Sequence, residues 1–214
     1  MAFGSAEQIE RALPQVVGHL ARGGLIAYPT ETVYGLGSST GWDAVQALAT
    51  LKGREPGKPF LLLVSDLEML ASVRLRLTDA AERFAAAFWP GPLTLVLPGG
   101  EGVLPDLLRG PEGGIAVRWT SHRGAARLAS ALGAPITSTS ANLPGRPASL
   151  SAPPILTMFT EAVQEGRLVV LDGGPIAESA PSTVVDCTGV APRIVRQGAV
   201  SLERLRSIVP SVES

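Results

Sequence analysis

The sequence predicts an α/β protein that forms a single domain, with a twisted mixed sheet and flanking helices. Short apolar runs typical of strands alternate with amphipathic segments typical of helices along the chain. Its 214 residues are 45% hydrophobic and 17% charged, which is enough apolar material for one continuous core. No internal repeat and no low-complexity linker divides the chain, so we expect one domain over residues 1–214.

In the first half of the chain, glycines and a proline mark the ends of the predicted elements. Gly23 and Gly24 end an amphipathic helix, and Pro29 ends a short apolar strand. A polar, glycine-rich turn follows. The predicted elements in order are helix 7–22, strand 25–28, helix 42–51, a doubly buried strand 60–64, helices 67–73 and 79–88, and strands 93–97 and 114–117.

The second half continues the alternation of helix and strand. Gly133 caps an alanine-rich helix, and a strand then leads into a polar loop. The predicted elements are helix 123–132, strand 135–138, helix 155–165, strands 168–171, 183–187 and 193–195, and a short helix from residue 202.

Composition excludes several classes of protein. The formal net charge of -1 argues against a surface that binds nucleic acid or anionic membrane as a whole. The most apolar stretch, 85–98, is interrupted by prolines and is too short to span a bilayer, and no signal peptide is apparent. A single cysteine, Cys187, fits a reducing compartment, so we expect the cytoplasm. The two histidines have no partner at metal-ligand spacing, so no resident metal site is expected.

The first candidate site follows the strand 25–28, in the segment 29–37 with the sequence Pro-Thr-Glu-Thr-Val-Tyr-Gly-Leu-Gly. Hydroxyls, a carboxylate and free amides beyond the end of a strand are suited to a polar small molecule. A simple turn with helix-capping threonines explains the same residues equally well.

The second candidate is the basic segment 52–59. All but two of the 18 Lys and Arg residues are arginines, and both lysines, Lys52 and Lys58, lie here. Lysine presents a compact charge suited to phosphate, and Arg54 projects to the same face as Lys52 if the segment is extended. Clustered cations need a neutralising anion, which favours a polyphosphate site. A solvated charged loop is the alternative.

The third candidate is the polar segment 137–147. Ser138, Ser140 and Asn142 share one side if the chain stays extended, where they can hydrogen-bond phosphate or ribose oxygens. An ordinary loop has the same composition. No base adjoins Ser140, so a serine nucleophile is the weaker reading. Arg118, Arg196 and the segment 181–183 are uninformative alone, and neither a Walker-type phosphate loop nor a Gly-x-Gly-x-x-Gly fingerprint is present.

Taken in order, these motifs resemble the YrdC-like family, and within it the threonylcarbamoyl-AMP synthases. The resemblance runs from about residue 23 to residue 196. It rests on seven motifs in register: the segment 29–37, Lys-x-Arg at Lys52 and Arg54, Pro-Gly-Pro-Leu-Thr at 90–94, Val117-Arg118, Ser-x-Asn at Ser140 and Asn142, Pro181-Ser182-Thr183, and Arg196. The chain departs from the family pattern at Leu63, where some relatives have histidine, and at Pro144, where serine is common.

The resemblance implies an α/β sheet around a deep, positively lined cavity, and an enzyme that converts L-threonine, bicarbonate and ATP into threonylcarbamoyl-AMP and pyrophosphate for tRNA modification. By the same resemblance Thr32, Arg118 and Ser182 would hold threonine. The residues that would contact ATP are Arg54, Lys58, Ser138, Ser140 and Arg196, and the catalytic set would be Lys52, Arg54, Ser140 and Asn142.

Further expectations concern cofactors and partners. ATP would arrive with Mg²⁺, and a transferase complex would use the product. Direct contact with tRNA or double-stranded RNA stays open, contact with a membrane is not expected, and the extra C-terminal domain of longer relatives is expected to be absent. Two alternatives stay open: a non-catalytic module that binds tRNA or double-stranded RNA, and a YrdC-like protein with a different carbamoyl acceptor.

Overall fold

A computed structural model describes residues 1–54 and 58–214, so the part of the basic segment at 55–57 lies outside the described residues. Within those ranges the helices are α1 (Ala6–Ala21), α2 (Trp42–Lys52), α3 (Glu68–Ser72), α4 (Asp79–Phe88), α5 (Arg123–Leu132), α6 (Ala152–Met158), α7 (Thr160–Gln164) and α8 (Leu202–Ile208). The strands are β1 (Leu25–Pro29), β2 (Tyr34–Gly37), β3 (Leu61–Val64), β4 (Leu93–Leu97), β5 (Ile115–Trp119), β6 (Ile136–Ser140), β7 (Leu168–Val170), β8 (Thr183–Asp186) and β9 (Arg193–Arg196).

The strands of the described residues form one nine-stranded mixed sheet in the order β7-β1-β2-β6-β3-β5-β4-β8-β9. β1 pairs parallel with β7, β3 with β5 and β4 with β8, whereas the other neighbours are antiparallel. Helices α1, α2 and α5 pack against β1, α5 also packs against β3, and α4 packs between β4 and α8. The predicted single α/β domain with a mixed sheet and flanking helices is confirmed.

Local sequence explains why α1 begins and packs as it does. Ser5 caps its N-terminus by accepting from the backbone N–H of Gln8, and the Gln8 side chain bonds back to the N–H of Ser5. Ile9, Leu13 and Val16 are buried, at the spacing that places them on one side of a helix.

Besides shifts of one or two residues at the ends of elements, the structure differs from prediction in three places. Residues 34–37 form strand β2 where a turn was predicted. The predicted helix 155–165 is two helices, α6 and α7, and residues 106–108 form a 3₁₀ turn that was not predicted. Among the described residues no helix is both long enough and apolar enough to cross a bilayer.

Candidate active site

The sheet carries a cavity of about 910 Å³. Alternate strand residues line it, because successive side chains of a strand point to opposite faces. Thr94 and Val96 of β4 line the cavity, whereas Leu93, Leu95 and Leu97 are buried on the other face. The polar and charged residues that line it are Thr30, Thr32, Arg54, Lys58, Thr94, Glu112, Arg118, Ser138, Thr139, Ser140, Ser182, Asp186, Arg193 and Arg196.

The cavity brings together most residues that the sequence singled out. Its described lining contains five Lys or Arg residues but only two carboxylates, Glu112 and Asp186. All three proposed threonine contacts and all five proposed ATP contacts are among the lining residues. Lys52 and Asn142 are not in the described lining, although both contact residues that are. In the structure, the basic segment and the polar segment therefore reach the same cavity, as the sequence predicts.

Lys52 occupies a different position from the one that an extended loop would give it. It is the last residue of α2, and Gly53 ends the helix in the left-handed conformation, with φ +60°. The prediction that Lys52 and Arg54 project together from an extended segment is wrong, because Lys52 belongs to the last turn of α2. Its ammonium group reaches instead into the turn that follows β6.

The Lys52 ammonium group organises the Ser-x-Asn turn. Nζ donates to the carbonyl oxygens of Ser140 at 2.6 Å and Asn142 at 2.5 Å, and to Asn142 Oδ1 at 2.6 Å. The Ser140 hydroxyl donates to the same Oδ1 at 2.5 Å. Burial and, to a smaller extent, the nearby charge of Arg54 together lower the pKa of Lys52 to about 8. Lys52 thereby fixes Ser140 at the cavity wall.

Arg54 ties the basic segment to β6. Its guanidinium donates to the carbonyl oxygens of Lys58 at 2.7 Å and Pro59 at 2.6 Å, and to Thr139 Oγ1 at 3.2 Å. The guanidinium carbon also lies 4.9 Å from the centre of the Phe60 ring. These contacts hold the guanidinium of Arg54 at the edge of the cavity beside Ser140.

Strand β2 leaves room for the hydroxyls of β6. Gly35 lies opposite Ser140 in the antiparallel register, and a Cβ atom at Gly35 would lie 3.1 Å from Ser138 Oγ. A side chain there would displace the Ser138 hydroxyl. The glycine therefore allows the two strands to present Ser138 and Ser140 at the cavity surface.

The opposite side of the cavity carries a second polar group. Ser182 Oγ lies 2.9 Å from Thr94 Oγ1, and Arg196 donates through Nη2 to the carbonyl oxygen of Ser182 at 2.9 Å and to its Oγ at 3.0 Å. Burial lowers the pKa of Arg196, and the charge of Arg118 contributes. Arg118 is buried in β5, and its Nε lies 3.6 Å from Glu31 Oε1. Two arginines thus face this side of the cavity.

Sequence reasoning assigned no contact to three residues of this region, although Glu31 lies in the segment 29–37 and Thr94 in the motif at 90–94. Thr94 is the one polar residue in the apolar strand β4, which is the signal that could have identified it. Glu31 and Thr120 are hydrogen-bonded to each other at 2.8 Å although 89 positions separate them, and no local pattern reveals such a pair.

The departures from the family pattern lie outside the described cavity lining. Leu63 pairs in register with Arg118 across β3 and β5 and is fully buried. Pro144 is exposed beside Gly53, since a Cβ atom at Gly53 would lie 3.7 Å from Pro144 Cγ.

His122 caps α5 by accepting from the N–H of Ala125. Among the described residues no group of three or more His, Cys, Asp or Glu side chains could hold a metal ion.

The chain matches the Sua5/YciO/YrdC family model, described as telomere recombination, over residues 19–198. It is 35% identical over 196 residues to threonylcarbamoyl-AMP synthase of Pyrococcus abyssi, which covers 91% of this chain and 56% of that protein. It is 38% identical over 175 residues to threonylcarbamoyl-AMP synthase of Chromohalobacter salexigens, covering 81% of this chain and 91% of that one.

A solved structure is similar over the whole chain. The crystal structure of P. abyssi Sua5 complexed with L-threonine matches with a TM-score of 0.86 and 32% identity, covering 100% of this chain and 62% of that one. The chain therefore spans a little over half the length of its P. abyssi relative.

Proposed function

Because this chain belongs to the Sua5/YciO/YrdC family, we propose that it forms L-threonylcarbamoyl-AMP and pyrophosphate from L-threonine, bicarbonate and ATP. The observation that carries the proposal is that one cavity has cationic and hydroxyl side chains suited to phosphate at one side and a buried arginine with a serine at the other. The names of the two relatives and the threonine bound to P. abyssi Sua5 support the same reaction.

Threonine would bind on the side of Arg118. A guanidinium offers paired N–H donors that match a carboxylate, and the hydroxyls of Thr32 and Ser182 line the same wall. Thr94 would orient Ser182 through their contact of 2.9 Å. A carboxylate at Arg118 leaves the amino group of threonine directed towards the middle of the cavity, where the carbamate must form.

ATP would bind on the side of Arg54 and Lys58. Their charges suit the triphosphate, and the hydroxyls of Ser138 and Ser140 can donate to phosphate oxygens without adding charge. Arg196, the fifth expected ATP contact, lies instead beside Ser182 on the opposite side. We expect ATP to enter as its magnesium complex, with the ion held on the triphosphate oxygens. Arg54, Ser140, Lys52 and Asn142 form the proposed catalytic set; in it Lys52 and Asn142 position Ser140 through the bonds described above.

The reaction depends more on fixed positive charges in the cavity than on a general base. The free amine of threonine and bicarbonate give a carbamate and water, and a carbamate oxygen then attacks the α-phosphorus of ATP. The bond from the α-phosphorus to the bridging oxygen breaks, and pyrophosphate leaves with the electron pair. Negative charge grows on phosphate oxygens during this step, so the fixed cations of the cavity supply the stabilisation. Removing one such contact costs on the order of 10²-fold in rate.

We also propose how the product is used and in which compartment the reaction takes place. The product is an activated threonylcarbamoyl group for tRNA modification, so a threonylcarbamoyl transferase complex would consume it in the cytoplasm. A direct contact with tRNA or double-stranded RNA is a further proposal, which the net charge of -1 limits to a local patch.

Pyrophosphate release from ATP tests the proposed function. We expect release only when threonine and bicarbonate are both present, and omission of either should abolish it. Ser140→Ala should lower turnover by on the order of 10²-fold with the fold intact, because a donor to the phosphates is lost. Thr157→Ala, which alters an exposed hydroxyl of α6, is the matched control and should leave turnover unchanged. Release without threonine would favour a different carbamoyl acceptor, and no release at all would favour a binding module.

A further inference from the structure

Arg118 is a buried cation whose hydrogen-bond donors are unused. Its side chain is 4% exposed, and among residues 1–54 and 58–214 its guanidinium makes no hydrogen bond. Its Nε is buried without a partner. Nε faces Glu31 Oε1, which is likewise buried without a hydrogen-bond partner, so the terminal N–H groups of this cavity-lining residue are the donors left for an anionic oxygen.

The carboxylate of Glu31 lies behind Arg118. The distance of 3.6 Å from Glu31 Oε1 to Arg118 Nε makes an ion pair but is too long for a hydrogen bond. The other carboxylate oxygen accepts from Thr120 Oγ1 at 2.8 Å, and Thr120 Oγ1 accepts from the N–H of His122 at 3.1 Å. Thr120 therefore fixes the carboxylate where it balances the charge of Arg118 without occupying a donor.

Arg118 differs from the two cavity arginines of β9 in its contacts. Arg193 pairs with Asp186 at 3.9 Å, but its side chain is half exposed, so water screens that pair. Arg196 donates to the neutral oxygens of Ser182. Since Arg118 and Arg196 face the same part of the cavity, phosphate groups would be drawn to it unless a fixed negative charge opposed them.

We propose that Glu31 is a specificity-determining residue: its charge reserves Arg118 for the carboxylate of a zwitterionic amino acid and excludes phosphate polyanions. The inference rests on the proposed function and names how one side of that site selects its substrate. The repulsion from Glu31 grows with the net charge of the ligand. A zwitterion such as threonine is neutral overall, because its ammonium group offsets its carboxylate, whereas pyrophosphate carries several negative charges.

The charge of Glu31 would therefore determine which side of the cavity each substrate occupies. A cavity with five cations in its described lining has more than one place for a triphosphate. With Glu31 in place, phosphates bind at Arg54 and Lys58, and the pyrophosphate product leaves the threonine side free. Without this charge, the product itself would compete with threonine.

The experiment compares Glu31→Gln with Glu161→Gln in the full chain. Both remove one negative charge from a side chain of the same shape, but Glu161 is exposed on α7 and lies outside the described cavity lining. Calorimetric titration measures the affinity for threonine and for pyrophosphate separately. In Glu31→Gln we expect pyrophosphate to bind on the order of tenfold more tightly and to compete with threonine, while the affinity for threonine stays within about fivefold. In Glu161→Gln both affinities should match the unsubstituted protein.

The unsubstituted protein gives a second test that does not depend on the folding of a variant. Pyrophosphate should compete with ATP but not with threonine. Competition with threonine there, or an unchanged affinity of folded Glu31→Gln for pyrophosphate, overturns the role of Glu31. Failure to bind threonine together with no threonine-dependent release of pyrophosphate overturns the proposed function instead, so the two failures are distinguishable.

Discussion

The Lys52 ammonium group donates to neutral oxygens of the turn that carries Ser140 and Asn142. An ammonium group has three N–H donors, and these three short bonds use all of them. Because burial lowers the pKa of Lys52 to about 8, the group loses a proton at mildly alkaline pH and can then serve only two of the three acceptors. The position of the Ser140 hydroxyl therefore depends on pH.

We expect kcat for pyrophosphate release to fall as the pH rises through about 8, because Ser140 loses its fixed position when Lys52 becomes neutral. Lys52→Arg keeps its charge throughout this range, so it should show a lower plateau but no alkaline decline near that pH. The pH profiles of the two proteins check this. An identical decline in Lys52→Arg would assign the titration to another group.

Stability should change in the opposite direction over the same range. The folded pKa of Lys52, about 8, lies below its ordinary value of 10.5, so the unfolded chain binds more protons between these values. The contribution of Lys52 to the free energy of unfolding therefore rises with pH from about 8 to about 10.5. Urea unfolding of the unsubstituted protein and of Lys52→Met separates this contribution from those of other groups.

At the residue scale the sequence could identify groups that are unusual in composition. The two lysines stand out in a chain rich in arginine, and the hydroxyls of 137–147 cluster locally. Thr94 stands out only as the one polar residue of an apolar strand, and Glu31 only as the carboxylate of segment 29–37, because the partner of each lies about 90 positions away. Their roles depend on side chains that only the folded sheet brings together.

Strand β2 shows why one element was missed. Glycine is depleted in strands, so the sequence Tyr-Gly-Leu-Gly of β2 reads as a turn. In the sheet, a Cβ atom at Gly37 would lie 2.3 Å from the carbonyl oxygen of Thr137, so glycine is what allows β2 and β6 to approach. The glycines of β2 make the strand hard to recognise in the sequence, and the close packing of β2 against β6 requires them.

Gly35→Ala tests this close approach. A Cβ atom there would lie 3.1 Å from Ser138 Oγ and 3.4 Å from the carbonyl oxygen of Thr139, so the Ser138 hydroxyl must move. Overpacking of this kind costs about 1–3 kcal/mol, and we expect KM for ATP to rise by at least about fivefold. Gly41→Ala is the matched control, because its nearest neighbour would be 3.9 Å away. Steady-state kinetics should find KM for ATP unchanged in Gly41→Ala; an unchanged KM in Gly35→Ala would remove Ser138 from the ATP site.

For the whole molecule, the alternation of helix and strand predicted the α/β class, but it did not predict the order of strands. β6 lies between β2 and β3, and this order brings Ser140 within reach of Lys52 across 88 positions. Apolar periodicity reports which face of an element is buried and not which strand lies beside it. The resemblance to the YrdC-like family implied one cavity, but it did not give the order of strands.

The charges that line the cavity differ from the net charge of the chain. The chain carries a net charge of -1, yet five Lys or Arg residues and two carboxylates are found in the described lining of one cavity. The overall charge excluded a broad nucleic-acid surface but could not exclude a local anion site. The cavity gathers cations from elements far apart in sequence.

A crystal structure with a stable analogue of threonylcarbamoyl-AMP would show whether one cavity holds threonine and ATP together. We expect the amino-acid carboxylate at Arg118, with its hydroxyl near Thr32 or Ser182, and the phosphate within hydrogen-bonding distance of Ser140 or Arg54. An analogue bound outside this cavity, or with its phosphate on Arg118, would rule out a shared site of this kind.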